Sequence, residues 1–481
     1  MNGVLTTKNY FHQLDVTSQP NSMTQVDDFD SQPTLKSVEM ERQDLPIPAL
    51  LEPVSQSEEK VHYHITAQEG ETEYFPGIKS PSKGYNGNVL GPVMRLRKGQ
   101  EVTITTENQL EQPATYHWHG LMLPAEADGG PMRVVEPHSQ TDVHFDVKNE
   151  AATCWFHPHT YLLSPEQLYQ GLAGLIYIED ENSDQLKKHL PHEHGVDDIP
   201  LIVQDRYFVE DGVVDYEQVF SIDGTRGDHL LLNGALMTKF NTHKRFLRLR
   251  LLNASNRTNF KFAFNDQSQF FQIASDGGFL NYPLGMKSLI LGAAERAEIV
   301  IDLKDTEEEP LYLMVNDFKA LEISKTGSLE ENVDFSYIYS LREDLLNTIY
   351  PEEVADLPFH HILFQGTDER VAVNGRKFQQ GRADETYKKD QYYVWRIINQ
   401  KDDIENMPHP FHAHDTQFRI LARNGKLPYK NEMGYKDTLV VNKGEAVDIL
   451  VKFPDTGLFM HHCHNLEHQE HGMMTHFEVE E

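Results

Sequence analysis

Histidine is spaced in this sequence in a way that points to metal chelation. With 25 histidines in 481 residues, chance placement gives about one His-x-His pair. Six occur: His62/His64, His117/His119, His157/His159, His192/His194, His412/His414 and His462/His464. In an extended strand residues i and i+2 face the same side, so each pair offers two imidazoles to one metal or to two neighbouring ones. Four pairs sit in dense contexts, HWHG (117–120), WFHPH (155–159), HPFHAH (409–414) and HHCHNLEHQEHGMM (461–474). His62/His64 and His192/His194 stand alone, and an ordinary surface or core pair is the better reading of each.

The last motif carries the sharpest chemistry. On a strand, His462 and His464 face one side while Cys463 faces the other, so two metal centres can share three consecutive residues. Cys463, His468 and Met473 supply the thiolate, imidazole and weak thioether of a blue-copper site, whose second imidazole must come from elsewhere. His409 is the natural candidate, and a bend expected at Pro410 turns His412 and His414 toward the other centre. Zinc competes as the metal, but structural zinc sites draw on four Cys or His ligands, and here about ten imidazoles face one thiolate. Redox copper accounts for the excess.

The elements that must position these residues read as strands. Short apolar runs alternate with Gly, Pro, Asn and Asp punctuation. Three alternating strands run into an Asn-containing turn, at Asn108, Asn253 and Asn399, and three apolar runs, 171–180, 294–303 and 444–453, close the units they open. A grammar repeated three times predicts an all-β chain of three related antiparallel sandwiches or Greek-key barrels. The predicted divisions are a polar arm over 1–45 and domains over 46–185, 186–345 and 346–481. Two of the dense motifs fall in the first domain and two in the last, while the middle unit beyond its leading linker holds only His229 and His243. The ligands must therefore meet where the two ends of the chain dock, with the middle domain as a spacer.

Composition bounds the rest. The 43 Lys+Arg against 75 Asp+Glu leave a formal net charge of -32, which disfavours nucleic acid as a partner and favours encounter with cations. The two cysteines, Cys154 and Cys463, exclude a disulfide framework. Cys154, beside Trp155, reads as a small buried hydrophobe. The first residues lack a basic start and an apolar core, and no apolar run of about 18 residues occurs. These features predict a soluble cytoplasmic protein with no membrane partner.

At the four dense motifs the chain resembles the multicopper oxidases, most closely the bacterial copper efflux oxidases and spore-coat laccases. The likeness extends to LPIPALLEP (45–53), GYNGNVLGP (84–92), AATCWFHPH (151–159), GLAGL (171–175), TQFRIL (416–421) and KFPDTGLFMHHCH (452–464). The resemblance implies three cupredoxin-like domains and four copper ions. It places type 1 copper at His409, Cys463, His468 and axial Met473, type 2 copper at His117 and His412, and the type 3 pair at His119, His157, His159, His414, His462 and His464. It also implies a proton-supplying acid at Asp128. The partners it implies are dioxygen and a small reductant (phenol, aromatic amine or Cu(I)), acting on a monomer.

Two departures from the family pattern bear on function. Where these relatives carry a Glu for proton delivery the chain has Gln469, so another acid such as Glu467 or Glu470 is expected to serve. The Met-rich insert of copper efflux oxidases is absent, since residues 346–408 hold only Met407. A more open type 1 edge favours laccase-like oxidation of phenols and aromatic amines. Cuprous oxidation, with Glu405 and Met407 as remnants of a copper site, is the alternative. A non-enzymatic protein on the same fold is disfavoured by the complete ligand set.

Overall fold

The computed structural model describes residues 34–481 apart from 210–211, 336–337, 339, 346–348, 350–353 and 401–406. The alternating apolar segments form strands, and among the described residues the main strands assemble into six sheets, two for each third of the chain. In the first unit, strands Met94–Arg97, Gly174–Glu179, Ala152–His157 and His117–His119 face a sheet built on Lys60–Phe75, Glu101–Asn108 and Ser139–Asp146. In the last, a sheet of Ala383–Lys388, Met474–Glu480, Gly457–Cys463, His409–Ala413 and Thr438–Val441 faces one containing Phe359–Gln365, Tyr393–Asn399 and Ala446–Val451. Each sandwich closes over its own apolar core. In the middle unit Leu247, Leu249 and Leu251 of one sheet meet Phe260, Phe262 and Leu313 of the other.

The expected all-β architecture is present, with one difference: the sheets are mixed rather than purely antiparallel. In every unit the first long strand runs parallel to the strand carrying the marker Asn, Lys60–Phe75 with Glu101–Asn108, Asp198–Arg206 with Phe246–Asn253, and Phe359–Gln365 with Tyr393–Asn399. Parallel neighbours need a crossover rather than a tight hairpin. The three asparagines do the same work. Asn108 Nδ2 donates to the carbonyls of Gln112 and Val135, Asn253 Nδ2 to those of Thr258 and Leu291, and Asn399 Nδ2 to those of Met407 and Val441. Each buried amide thus ties the strand end to its own turn and to a later strand.

In the first unit the closing run 171–180 does not pair with the opening strand. Phe246–Asn253 and Tyr393–Asn399 pair antiparallel with Arg296–Asp302 and Ala446–Val451, but the partner of Glu101–Asn108 is Ser139–Asp146. Gly174–Glu179 pairs instead with the histidine strand Ala152–His157, as Met474–Glu480 pairs with Gly457–Cys463. Buried strands of either kind are short apolar runs, and their local pattern does not say which neighbour they take. The end of the polar arm is built into the middle unit: Gln43–Asp44 pairs parallel with Thr238–Lys239, and Leu45 enters that core. Residues 1–33 lie outside the described part. Among the described residues no helix is long and apolar enough to cross a membrane.

Candidate metal centres

Strand parity brings eight imidazoles together. His117 and His119 project from one face of their strand, and His117 sits opposite His157 in register. On the last unit His412 sits opposite His462. The two histidine-bearing sheets meet so that His117 stacks on His414 with ring centres 4.0 Å apart and His119 on His412 at 3.7 Å. All of His117, His119, His157, His159, His412, His414, His462 and His464 are 2% exposed or less. Ligand atoms of His117, His119 and His157 lie within 4.8 Å of one another, as do those of His117, His412 and His414, and of His159, His414 and His462.

The hydrogen bonds around this cluster set its chemistry, because carbonyl and carboxylate oxygens only accept. Nδ1–H of His117 donates to the Asp128 carbonyl, that of His157 to Pro158, that of His412 to Asp437 and that of His462 to Cys463. His414 Nδ1–H donates to Asp128 Oδ2 at 2.8 Å, and His119 Nε2–H to Asp437 Oδ1 at 3.0 Å. Each ring then presents a bare lone pair inward. His414 Nε2 and His462 Nε2 face each other at 3.2 Å, and His119 Nδ1 and His157 Nε2 at 3.3 Å. Two lone pairs at that distance repel unless a cation lies among them. His117 Nε2 and His412 Nε2 are buried with no protein partner, as are both nitrogens of His464. Burial holds the rings neutral, pulling His117 down to about 4 and His464 to about 3. Neutral imidazole is the metal-binding form.

On the opposite face of the His462–His464 strand lies the second centre. Cys463 Sγ is 3.5 Å from His409 Nδ1, and His468 Nδ1 is 3.4 Å from the same atom. Burial pushes the Cys463 thiol up to about 12, so a thiolate here requires a neighbouring cation. Met473 is fully buried, and its carbonyl accepts from the Cys463 N–H at 3.0 Å. The short helix Leu466–His471, capped by Asn465 and ended by Gly472, carries His468 into place. The bend expected at Pro410 is absent. Pro410 continues strand His409–Ala413 opposite Val440, and odd–even alternation alone sends His409 to one centre and His412 and His414 to the other.

Asp128 lies between the sequence-remote His117 and His414, as their hydrogen-bond acceptor through carbonyl and carboxylate, and burial raises it to about 7. Gln469 is buried, and its Nε2 donates to Glu470 Oε1 at 2.7 Å. Burial lifts Glu470 to about 7, opposed mainly by the donating Leu162 N–H. Glu467 accepts from Tyr216 and Asn256, both at 2.9 Å.

The solitary pairs stay apart from both centres. His62 and His64 bond Thr105 and Glu107, while His192 and His194 bond the Leu190 and Pro48 carbonyls. Cys154 is buried among apolar side chains of the first core. Met407 is buried too, and Glu405 falls outside the described residues. Three functional neighbours escaped sequence reasoning. Asp223, from the middle unit, accepts from His468 Nε2 at 3.1 Å, and Asp437 and Arg296 stand behind His119. No spacing announces them.

Comparison with known proteins gives matches along most of the chain. Family profiles described as multicopper oxidase match residues 66–183, 197–332 and 355–481. The chain is 37% identical to the multicopper oxidase mco of Staphylococcus aureus, over 91% of this chain and 93% of that one. Its fold is similar to that of a laccase from Pediococcus acidilactici, with TM-score 0.86, 36% identity and coverage of 93% and 96%. It is also similar to CueO of a lignin-degrading Ochrobactrum, a laccase-like oxidase described as active towards lignin model compounds, with TM-score 0.77, 31% identity and coverage of 91% and 100%.

Proposed function

The chain belongs to the multicopper oxidase family, and from that membership we propose that it oxidises phenols and aromatic amines at the thiolate centre and reduces dioxygen to water at the imidazole cluster. As a multicopper oxidase it is an oxidoreductase that uses dioxygen, with one type 1, one type 2 and two type 3 coppers as cofactors. The donor sets suit these ions. His409, Cys463, His468 and Met473 would hold type 1 copper, the two unpartnered Nε2 atoms of His117 and His412 type 2, and the remaining six imidazoles the type 3 pair. When bound, the coppers supply one-electron acceptance at the first centre and four-electron delivery to dioxygen at the second.

The protein's own groups do the rest. Cys463 lies between His462 and His464 in the chain, so covalent bonds join the two centres. Asp128 and Glu470, each held near neutrality, can store and release the protons that water formation consumes.

The observation that carries the substrate reading is Asp223. Its hydrogen bond to His468 Nε2, then the backbone N–H of Asp368, keep it ionised at about 2, and its side chain is 30% exposed. A phenol or aromatic amine arriving at the His468 edge meets a carboxylate able to accept a hydrogen bond from its O–H or N–H. The similarity to a relative described as active on lignin model compounds points the same way. Cuprous oxidation is less favoured, because Met407 offers no surface thioether. The test is dioxygen uptake by copper-loaded protein with a dimethoxyphenol or with Cu(I). Uptake with the phenol, and about a tenfold lower kcat/KM in Asp223→Asn, are expected from loss of one charge-assisted hydrogen bond. Uptake with Cu(I) alone overturns the reading.

A further inference from the structure

His119 and His412 belong to different domains, yet one residue orients both. Asp437 accepts from His119 Nε2 through Oδ1 at 3.0 Å and from His412 Nδ1 through its carbonyl at 2.8 Å. The Thr438 hydroxyl closes the arrangement, 3.1 Å from His119 Nε2 and 2.9 Å from Asp437 Oδ1. Behind Asp437 stands Arg296 of the middle domain. Its two terminal nitrogens donate to Asp437 Oδ1 and Oδ2, both at 2.6 Å, in a bidentate fork. Its Nε donates to the Thr153 carbonyl of the first domain at 3.1 Å, and its backbone N–H to Asp276 Oδ1 at 2.7 Å. Asp276 Oδ2 in turn accepts from Lys436 Nζ at 2.8 Å. The Arg296 and Asp437 side chains have no solvent exposure.

The glycine of HWHG is explained by the same pair. Gly120 has φ of 92°, and a Cβ there would lie 2.6 Å from an Arg296 nitrogen and 2.7 Å from Asp437 Oδ2. The first domain's histidine strand therefore ends against the fork itself.

We propose that Arg296 is a positioning residue for the imidazole cluster. The fork fixes the plane of the Asp437 carboxylate. That plane fixes the direction from which His119 Nε2–H is accepted, and so leaves His119 Nδ1 as the lone pair aimed at His157 Nε2. Without the fork a buried carboxylate loses its countercharge and two of its donors. By anchoring Asp437 the fork also holds in place the backbone carbonyl that accepts from His412 Nδ1, so the middle domain, which contributes no imidazole to the cluster, bears on rings from both of the others.

The inference rests on the cluster's being the copper site. Copper-loaded wild type is compared with Arg296→Met, Arg296→Lys and Arg248→Met for copper per chain, blue absorbance, electron paramagnetic resonance and thermal midpoint. Arg248 pairs with Glu298 in a buried contact within the middle domain, away from the imidazoles, and controls for lost stability. Arg296→Met is expected to bind cluster copper about 10–100-fold more weakly, the usual cost of losing an outer partner of a metal ligand. Its type 2 signal is expected to shift with the blue band unchanged. Arg296→Lys, which keeps the charge without the fork, shifts the type 2 signal at full copper loading. Arg248→Met lowers the midpoint alone. An unshifted type 2 signal and wild-type affinity in Arg296→Met overturn the inference, and if that variant does not fold, an unshifted signal in Arg296→Lys does so. Wild-type protein that fails to take up four coppers overturns the underlying reading instead.

Discussion

Gln469 carries an amide one residue after His468, and that amide donates to Glu470, so an acid remains in the neighbourhood, displaced by one position. An amide cannot deliver a proton. Gln469→Glu would put a second carboxyl against Glu470, and reoxidation of the fully copper-loaded, reduced enzyme by dioxygen is expected to accelerate on the order of tenfold, a modest share of what a positioned acid contributes. Glu470→Gln is expected to slow it. Stopped-flow reoxidation reads both, and an unchanged or lower rate in Gln469→Glu sinks the idea. At this scale the ligand residues were legible, since side-chain type and odd–even position along a strand are local properties. The hydrogen bonds that decide which nitrogen of each ring faces inward were not, because their acceptors are mostly backbone carbonyls such as those of Asp128 and Asp437.

The three asparagine staples belong to the scale of the strand. Asn253 lies in the middle domain, and Asn253→Ala leaves the Thr258 and Leu291 carbonyls without that donor. The variant is expected to lose about 1–3 kcal/mol, from the loss of two buried hydrogen bonds, with blue absorbance intact. Urea unfolding measures it, and a wild-type midpoint would contradict the staple's role. The sequence pattern revealed the opening strands because each runs into an Asn-containing turn. It misassigned the closing strand of the first domain because register between strands depends on partners far along the chain. At Pro410 a bend was expected and alternation sufficed, since proline can take a strand position that needs no N–H donor.

Docking of the first and last domains buries a concentration of neutral imidazoles, and this governs how the whole molecule responds to pH. Burial depresses His117 to about 4 and His464 to about 3, and pushes His119, His157, His159, His409, His412, His414 and His462 well below the ordinary value. As pH falls below about 6.5 the unfolded chain takes up protons at these sites and the folded protein does not, so stability is lost. Raised carboxyls such as Asp128 and Glu470 act in the opposite sense, retaining protons in the folded state, but they are fewer. The urea midpoint of copper-free protein is expected to fall between pH 6.5 and 5. A midpoint that holds or rises would contradict this balance. Protons also compete with copper for the same nitrogens, so copper affinity should weaken over the same range.

The inventory of donors, their division between two faces of one strand and the need for the chain's ends to meet could all be read from residue order, because they rest on residue type and a period of two. The partners supplied across domains could not. Asp223 reaches His468 across 245 residues, and Arg296 reaches Asp437 across 141. Aspartate and arginine are common surface residues, and no spacing distinguishes these from the rest. They become neighbours of the centres only when three sandwiches pack together and exclude water.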